Sequence, residues 1–149
     1  MAAISAVLLG VMAMQISFGS QTSNANEITL TGLKTRIETP LFQVCGNFYT
    51  KYLGMKVLGS WDEKGDKGVI LGLGSSSQSE AYLEIAYVET PKSYEGMSLQ
   101  FRVIDIDSFV RKLHGHIEFR GPETRPWGSR YLYIEDPAGI QVILYEGEL

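Results

Sequence analysis

The sequence predicts an α+β fold of two paired βαβββ modules, whose mixed curved sheets enclose a cavity. A chain of 149 residues is long enough to form one domain with a substantial core. The order strand, helix and three strands can be read twice along it, at a spacing of roughly 60 residues. Each module then has one helix that covers one face of a small sheet. Pairing the modules leaves the other two faces curved around a shared cavity.

The first module is predicted at about residues 31–89. Residues 31–39 alternate apolar and polar side chains, as a half-buried strand does. Pro40 is well placed to open a helix, and Gly54 is well placed to end one. Three further strands are predicted, at residues 55–61, 68–73 and 81–88, the first two joined by a turn at 64–67 and the last two by a Ser-rich loop.

The second module is predicted at about residues 97–147. A strand at residues 98–104 precedes a helix that either Asp105 or Asp107 can cap. A short strand at residues 117–120 leads into a turn-rich loop at 121–128. Two closing strands, at residues 129–134 and 140–146, flank the tight turn Asp136-Pro137-Ala138-Gly139.

The N-terminal segment differs from the rest of the chain. Residues 2–14 are almost continuously apolar, but the run is shorter than the about 20 residues of a membrane-spanning helix. It is typical of a secretory signal, with small residues at two possible cleavage sites. We therefore expect residues 1–27 to be a signal peptide and leader, residues 28–149 to be the domain, and the protein to be periplasmic or extracellular. The alternative is a cytoplasmic protein whose N-terminal helix packs on the domain or on a partner.

Composition excludes several classes of function. The net charge is −4, and the basic residues do not form one patch, which argues against nucleic-acid binding. The single cysteine, Cys45, excludes an internal disulfide and a cysteine-based zinc site. Since Cys45 lies on the apolar side of the predicted first helix, we expect a buried and unreactive thiol.

Several motifs occur in the order of a known family. FYTKYLGM at residues 48–55 resembles the first helix of vicinal-oxygen-chelate proteins, the glyoxalase/bleomycin resistance protein/dioxygenase superfamily. FRVID at 101–105 resembles the strand-to-helix transition of their second module. PWGSR at 126–130 and DPAG at 136–139 resemble its closing hairpin. The resemblance implies paired βαβββ modules and a homodimer. Because the family includes both enzymes and metal-free drug-binding proteins, the fold alone does not choose a function.

The resemblance also implies where a catalytic metal would be held. Metal-dependent members bind a divalent ion through His, Gln or Glu side chains on four strands, and the corresponding positions here are Lys34, Glu84, Ser98 and Ile143. Glu84 is a competent ligand. An ammonium group has no lone pair, a serine hydroxyl binds weakly, and an aliphatic side chain cannot bind a metal at all. We therefore expect no cofactor, and a divalent metal would have to bind with most ligand positions substituted.

The remaining side chains of the predicted cavity form a polar floor with an aromatic wall. Its cations can pair with an anionic or oxygen-rich ligand, and its carboxylates can equally neutralise those cations within the floor. The aromatic wall can contact a ligand, although its tryptophan can equally pack in the closing hairpin. The predicted ligand-binding residues are Lys34, Arg36, Glu38, Ser98, Gln100, Arg102, Trp127, Ile143 and Tyr145.

Three functions are consistent with these features. The first is a metal-independent small-molecule-binding protein whose ligand lies in the cavity between the modules. The second is a lyase-, isomerase- or dioxygenase-type enzyme with a nonstandard site, in which Glu84 is the base or a ligand and Lys34 or Arg102 stabilises charge. The third is a structural or interaction module whose cavity is filled by side chains.

Overall fold

The computed structural model describes residues 30–74 and 81–148, and residues 31–149 belong to one compact unit. The predicted signal peptide and leader lie outside the described residues, as does most of the Ser-rich loop. Among the described residues, no helix is long and apolar enough to span a membrane.

The first module has the predicted βαβββ order. Its four strands form one sheet in the order β1-β4-β3-β2, with β1 parallel to β4 and the other neighbours antiparallel. The helix is continued by one π-helical turn, Phe48–Tyr52. The elements are β1 (Leu33–Thr39), α1 (Phe42–Asn47), β2 (Lys56–Glu63), β3 (Asp66–Gly72) and β4 (Ala81–Tyr87).

The turn between β2 and β3 is tighter than predicted. Glu63 pairs with Asp66, so only Lys64 and Gly65 form the connection. Both have positive φ angles, 49° and 91°. This is the backbone that two-residue hairpins require, because its twist matches that of the flanking strands.

The second module repeats the first. Its sheet has the order β5-β8-β7-β6, again with the first strand parallel to the last. Of the two candidate helix caps, Asp105 is the one used, since its carboxylate accepts a hydrogen bond from the backbone N–H of Ser108 at 3.0 Å. The elements are β5 (Ser98–Arg102), α2 (Ile106–Leu113), β6 (Phe119–Thr124), β7 (Arg130–Glu135) and β8 (Gln141–Glu146).

Strand β6 extends beyond its predicted end, into the segment predicted as a loop. Arg120 pairs with Tyr133 and Glu123 pairs with Tyr131, so β6 carries one extra residue at this point. Such a bulge accommodates Pro122, which has no N–H to donate to a ladder. It also brings Arg120 and Glu123, three residues apart, next to tyrosines on one face of the sheet.

One apolar core joins the two modules. It contains the helix-facing side chains of both sheets, such as Ile85 and Leu144, together with Cys45 and Leu113 from the helices. The buried hydroxyl of Tyr49 on the π-helical turn donates a hydrogen bond to Asp136 in the second module at 2.7 Å. Since the helix-facing sides are buried, each sheet keeps its polar side chains on the opposite face.

Candidate functional site

Apart from Trp127, which lies in the turn between β6 and β7, the predicted site residues lie on the sheet faces that point away from the core. In the first sheet, β1 contributes Lys34, Arg36 and Glu38, and the register places Arg36 beside Glu84 of β4. In the second sheet, three of the five register pairs between β5 and β8 lie on this face. These pairs are Ser98 with Gln141, Gln100 with Ile143, and Arg102 with Tyr145.

Glu84 is enclosed by cations. It is only 4% exposed. One carboxylate oxygen accepts a hydrogen bond from Lys34 Nζ at 2.6 Å, and the other accepts one from Arg36 Nη1. The hydrogen bond from Lys34, assisted by the one from Arg36, lowers the pKa of Glu84 despite its burial. The carboxylate is therefore ionised at neutral pH and both of its oxygens are occupied.

The ion pairs continue along β1. Arg36 Nε donates to Glu38 Oε1 at 3.1 Å, and Lys92 Nζ lies 3.9 Å from Glu38 Oε2. These side chains therefore neutralise one another on the face of the first sheet.

The four family ligand positions do not fit a divalent metal. The ammonium group of Lys34 already donates to Glu84, whereas Ser98 and Ile143 lie in the other sheet. In the part of the chain that the structure describes, no three His, Cys, Asp or Glu side chains come close enough to hold a metal ion. The donor set offers one carboxylate and a competing cation, which is a poor site for Mg²⁺, Mn²⁺ or Zn²⁺.

The second sheet carries a row of stacked aromatic rings, here called the tyrosine row, formed by Tyr133, Tyr131 and Tyr145. The Tyr131 ring centroid lies 6.5 Å from that of Tyr133 and 6.0 Å from that of Tyr145, with interplanar angles of 23° and 21°. The indole of Trp127 meets Tyr131 edge to face at 6.4 Å and is 66% exposed. Trp127 and Tyr145, predicted as an aromatic wall, are thus connected through Tyr131.

The sequence analysis missed Tyr131 and Tyr133. The signal was present in β7, where the two tyrosines alternate with Leu132 and Ile134. Because Leu132 and Ile134 are buried in the core, the tyrosines must lie on the opposite face.

Two arginines from the β6 segment contact the tyrosine row. The guanidinium of Arg120 lies over the Tyr133 ring, 3.9 Å from its centroid. Arg125 donates a hydrogen bond to the Tyr133 hydroxyl. The carboxylate of Glu123 pairs with Arg120 through one oxygen, and its other oxygen lies 3.7 Å from Arg125 Nη2. These contacts depend on the bulge in β6, which the sequence analysis did not predict.

The predicted site residues therefore form two groups. Arg102, at the end of β5, pairs with the exposed Glu148 at 2.8 Å. Within the described residues, 30–74 and 81–148, no hydrogen bond or ion pair joins the first-sheet group around Glu84 to the second-sheet group around Tyr145.

A cavity of about 420 Å³ lies between the modules, where β1 and β4 approach β5. Ser98 and Gln100 of the predicted set contribute to its lining, but Lys34 and Glu84 do not. Its lining is largely apolar rather than the predicted polar floor, because β1, β4, β5 and the segments beside them contribute mostly apolar side chains to it. These lining residues include Leu33, Thr35, Met55, Leu83, Met97, Leu99 and Phe101.

The thiol of Cys45 has the expected unreactive environment. Cys45 is fully buried on α1. Burial, together with the nearby Asp136 carboxylate, raises the pKa of the thiol to about 12. The nucleophilic thiolate is therefore scarce at neutral pH.

Comparison with known proteins supports the fold. The family model for the Glyoxalase/Bleomycin resistance protein/Dioxygenase superfamily matches residues 46–144. TnmS3, an antibiotic-binding protein from Streptomyces sp. CB03234, has 15% identity and a TM-score of 0.65, with 84% of this chain and 100% of that chain covered. Trypanothione-dependent glyoxalase I from Leishmania major has 26% identity and a TM-score of 0.63, with 80% and 87% covered. Lactoylglutathione lyase from Agrobacterium tumefaciens has 18% identity and a TM-score of 0.58, with 77% and 92% covered. No curated protein sequence matches this chain.

Proposed function

Because the chain belongs to the glyoxalase/bleomycin resistance protein/dioxygenase superfamily, we propose that it is a metal-independent small-molecule-binding protein. The cavity between the modules carries this proposal. Its volume of about 420 Å³ lies within the range of ligand pockets. Its lining is largely apolar, and the polar side chains of Ser98 and Gln100 also contribute to it. A ligand held there would be largely apolar, with one or two groups able to hydrogen-bond. The antibiotic-binding TnmS3, which has the same fold, supports this class of function.

The contacts of Glu84 favour binding over family-type catalysis. A metal at this position would have to displace both Lys34 and Arg36 from the carboxylate. As a general base Glu84 is also unfavourable, because a lowered pKa makes a carboxylate a weaker proton acceptor. The enzyme alternative therefore requires chemistry other than that of the family's metal centre.

A homodimer is part of the proposal. Large apolar side chains are exposed on the first module, including Leu33 at 66%, Val57 at 58% and Val44 at 54%. Among the described strands, β1 and β5 each pair on one side only, and an edge strand of this kind can pair with another chain. Exposed apolar surface beside open edges is typical of an interface. Sedimentation velocity is expected to give twice the mass of the chain, and a concentration-independent monomer would contradict this part of the proposal.

The cavity can be tested with N-phenyl-1-naphthylamine, a neutral apolar probe that fluoresces in apolar sites. Wild-type protein treated with a chelator is expected to bind it saturably. Thr35→Phe fills the cavity from β1 and is expected to abolish binding. Thr90→Phe, at an exposed position between β4 and β5, is expected to leave binding unchanged. Equal binding by the two variants would exclude the cavity as the site.

Metal independence has its own test. Elemental analysis of the purified protein is expected to find no stoichiometric transition metal. A bound ion whose removal abolished probe binding would overturn the metal-independent proposal. Metal-independent turnover of any substrate that was lost in Glu84→Gln would instead support the enzyme alternative.

Export to the periplasm or the cell exterior is proposed from residues 1–27 alone. N-terminal sequencing of the native protein tests it, since a processed chain is expected to begin after one of the small-residue sites at residues 17–19 or 23–25. A native chain that begins at Met1 would contradict cleavage.

A further inference from the structure

We propose that Trp127 and the tyrosine row form a stacking surface for a planar aromatic ligand that carries a negative charge. The surface lies on the face of the second sheet opposite the buried Leu132 and Leu144, and none of its four residues is among those that line the cavity. The inference therefore concerns a second binding surface and does not require a ligand in the cavity.

The exposure of Trp127 is the first observation behind the proposal. Its indole is 66% exposed, although the turn that carries it is held by two backbone hydrogen bonds. Arg125 N–H donates to the Ser129 carbonyl at 2.9 Å, and Gly128 N–H donates to the Arg125 carbonyl at 2.9 Å. An ordered turn therefore presents a large apolar ring to solvent beside Tyr131, an arrangement that favours contact with another ring.

The spacing of the rings indicates how a ligand would bind. Within the tyrosine row the centroids are 6.0 and 6.5 Å apart, so the rings already lie at aromatic contact distance and leave no room for another ring between them. One face of Tyr133 is covered by Arg120. A planar ligand would therefore stack on the open indole of Trp127, beside Tyr131 in the middle of the row.

The neighbouring charges favour an anionic ligand. Two guanidinium groups, Arg120 and Arg125, share the carboxylate of Glu123, so these three side chains together carry a net charge of +1. The Cζ of Arg125 lies 5.8 Å from the Tyr131 ring centroid, and its side chain is 39% exposed. A guanidinium in that position can bind a carboxylate or sulfonate on a stacked ring with two parallel hydrogen bonds.

Anthraquinone-2-sulfonate is a suitable probe, because it is planar, aromatic and anionic. The chain has two tryptophans, and Trp61 is held in the first module by a hydrogen bond to Asp66 at 3.0 Å. In the Trp61→Phe variant, Trp127 is the remaining tryptophan, and added anthraquinone-2-sulfonate is expected to quench its fluorescence saturably. By calorimetry, Trp127→Ala is expected to weaken binding about tenfold, with Trp127→Phe restoring most of it. Unchanged binding by Trp127→Ala would overturn the proposal.

The charge requirement is tested separately. Arg125→Gln is expected to weaken probe binding at least about fivefold. The control Arg111→Gln, which removes an exposed arginine from α2, is expected to have no effect. Cyclohexanesulfonate, an anion without an aromatic plane, is expected not to bind, and binding as tight as that of the aromatic probe would refute the stacking surface.

The two binding proposals can fail independently. Thr35→Phe is expected to leave anthraquinone-2-sulfonate binding intact while it abolishes binding of the neutral probe. If Thr35→Phe rather than Trp127→Ala abolished binding of the aromatic anion, the ligand would lie in the cavity. The stacking surface would then be refuted and the proposed function would stand.

Discussion

Removal of one hydroxyl group should weaken the junction between the modules. Tyr49 is fully buried, and its hydroxyl donates to Asp136 Oδ2 at 2.7 Å. The other oxygen of Asp136, which is itself 3% exposed, accepts from the N–H groups of Ala138 and Ile140 at 2.9 and 2.8 Å. Tyr49→Phe keeps the ring and removes the donor, so a buried carboxylate oxygen loses its hydrogen bond.

The expected cost follows from the charge of the acceptor. A hydrogen bond to an ionised group contributes about 1.5–3 kcal/mol to the free energy of unfolding. Leaving the buried carboxylate oxygen without a hydrogen-bond donor costs a free energy in the same range. In a domain of this size, each kcal/mol lowers the melting temperature by roughly 4 °C. Tyr49→Phe should therefore lower the free energy of unfolding by about 1.5–3 kcal/mol and the Tm by roughly 6–12 °C.

Urea denaturation and differential scanning calorimetry measure both quantities. Tyr52→Phe is the matched control, because this half-buried tyrosine lies on the same turn and its ring packs beside Phe48, with centroids 6.4 Å apart. It should change the free energy of unfolding by less than about 0.5 kcal/mol. If Tyr49→Phe had an equally small effect, the bond to Asp136 would not stabilise the junction and the reasoning would be refuted.

Two further predictions concern the first module. A Cβ at Gly68 would overlap the Trp61 ring and lie 2.9 Å from the Ile85 carbonyl, so Gly68→Ala should destabilise the protein by about 1–3 kcal/mol in urea denaturation. Gly59→Ala, with open space around the new methyl group, is the control, and equal losses would exclude the steric explanation. Because Lys34 lowers the pKa of Glu84 from 4.5, that carboxylate should contribute stability above about pH 4.5 that is lost as the pH falls through the lowered pKa. The difference in unfolding free energy between wild type and Glu84→Gln should therefore become smaller as the pH is lowered below about 4.5. A difference that does not change with pH would contradict the ion-pair assignment.

Local signals in the sequence predicted the elements well. The cap at Asp105 and the turn that begins at Asp136 depend on hydrogen bonds to residues two to four positions away, so they can be read from adjacent positions. The buried strands follow from alternation, because one face of each sheet packs on the core. The end of β6 was wrong, because a bulge at Pro122 continues the pairing past a residue that normally ends a strand.

The candidate site was predictable only in part. Counting from motifs selected Lys34 and Glu84, and strand alternation added Arg36. The structure brings both cations into contact with Glu84, although 48 to 50 residues separate them in sequence. These two signals also selected Tyr145 but not Tyr131 and Tyr133, since β7 carries no family ligand position and its tyrosines become a surface only when β8 pairs beside them.

The sequence by itself determined the two βαβββ modules, the family and the residue types at its metal-ligand positions, since these can be read from residue types and from spacing along the strands. The tertiary structure decided what the remaining side chains do. It showed that Lys34 and Arg36 neutralise Glu84, that the cavity between the modules is largely apolar, and that Trp127 lies exposed beside stacked tyrosines. Ion pairing, cavities and ring stacking depend on distances between strands, and strand alternation alone does not specify those distances.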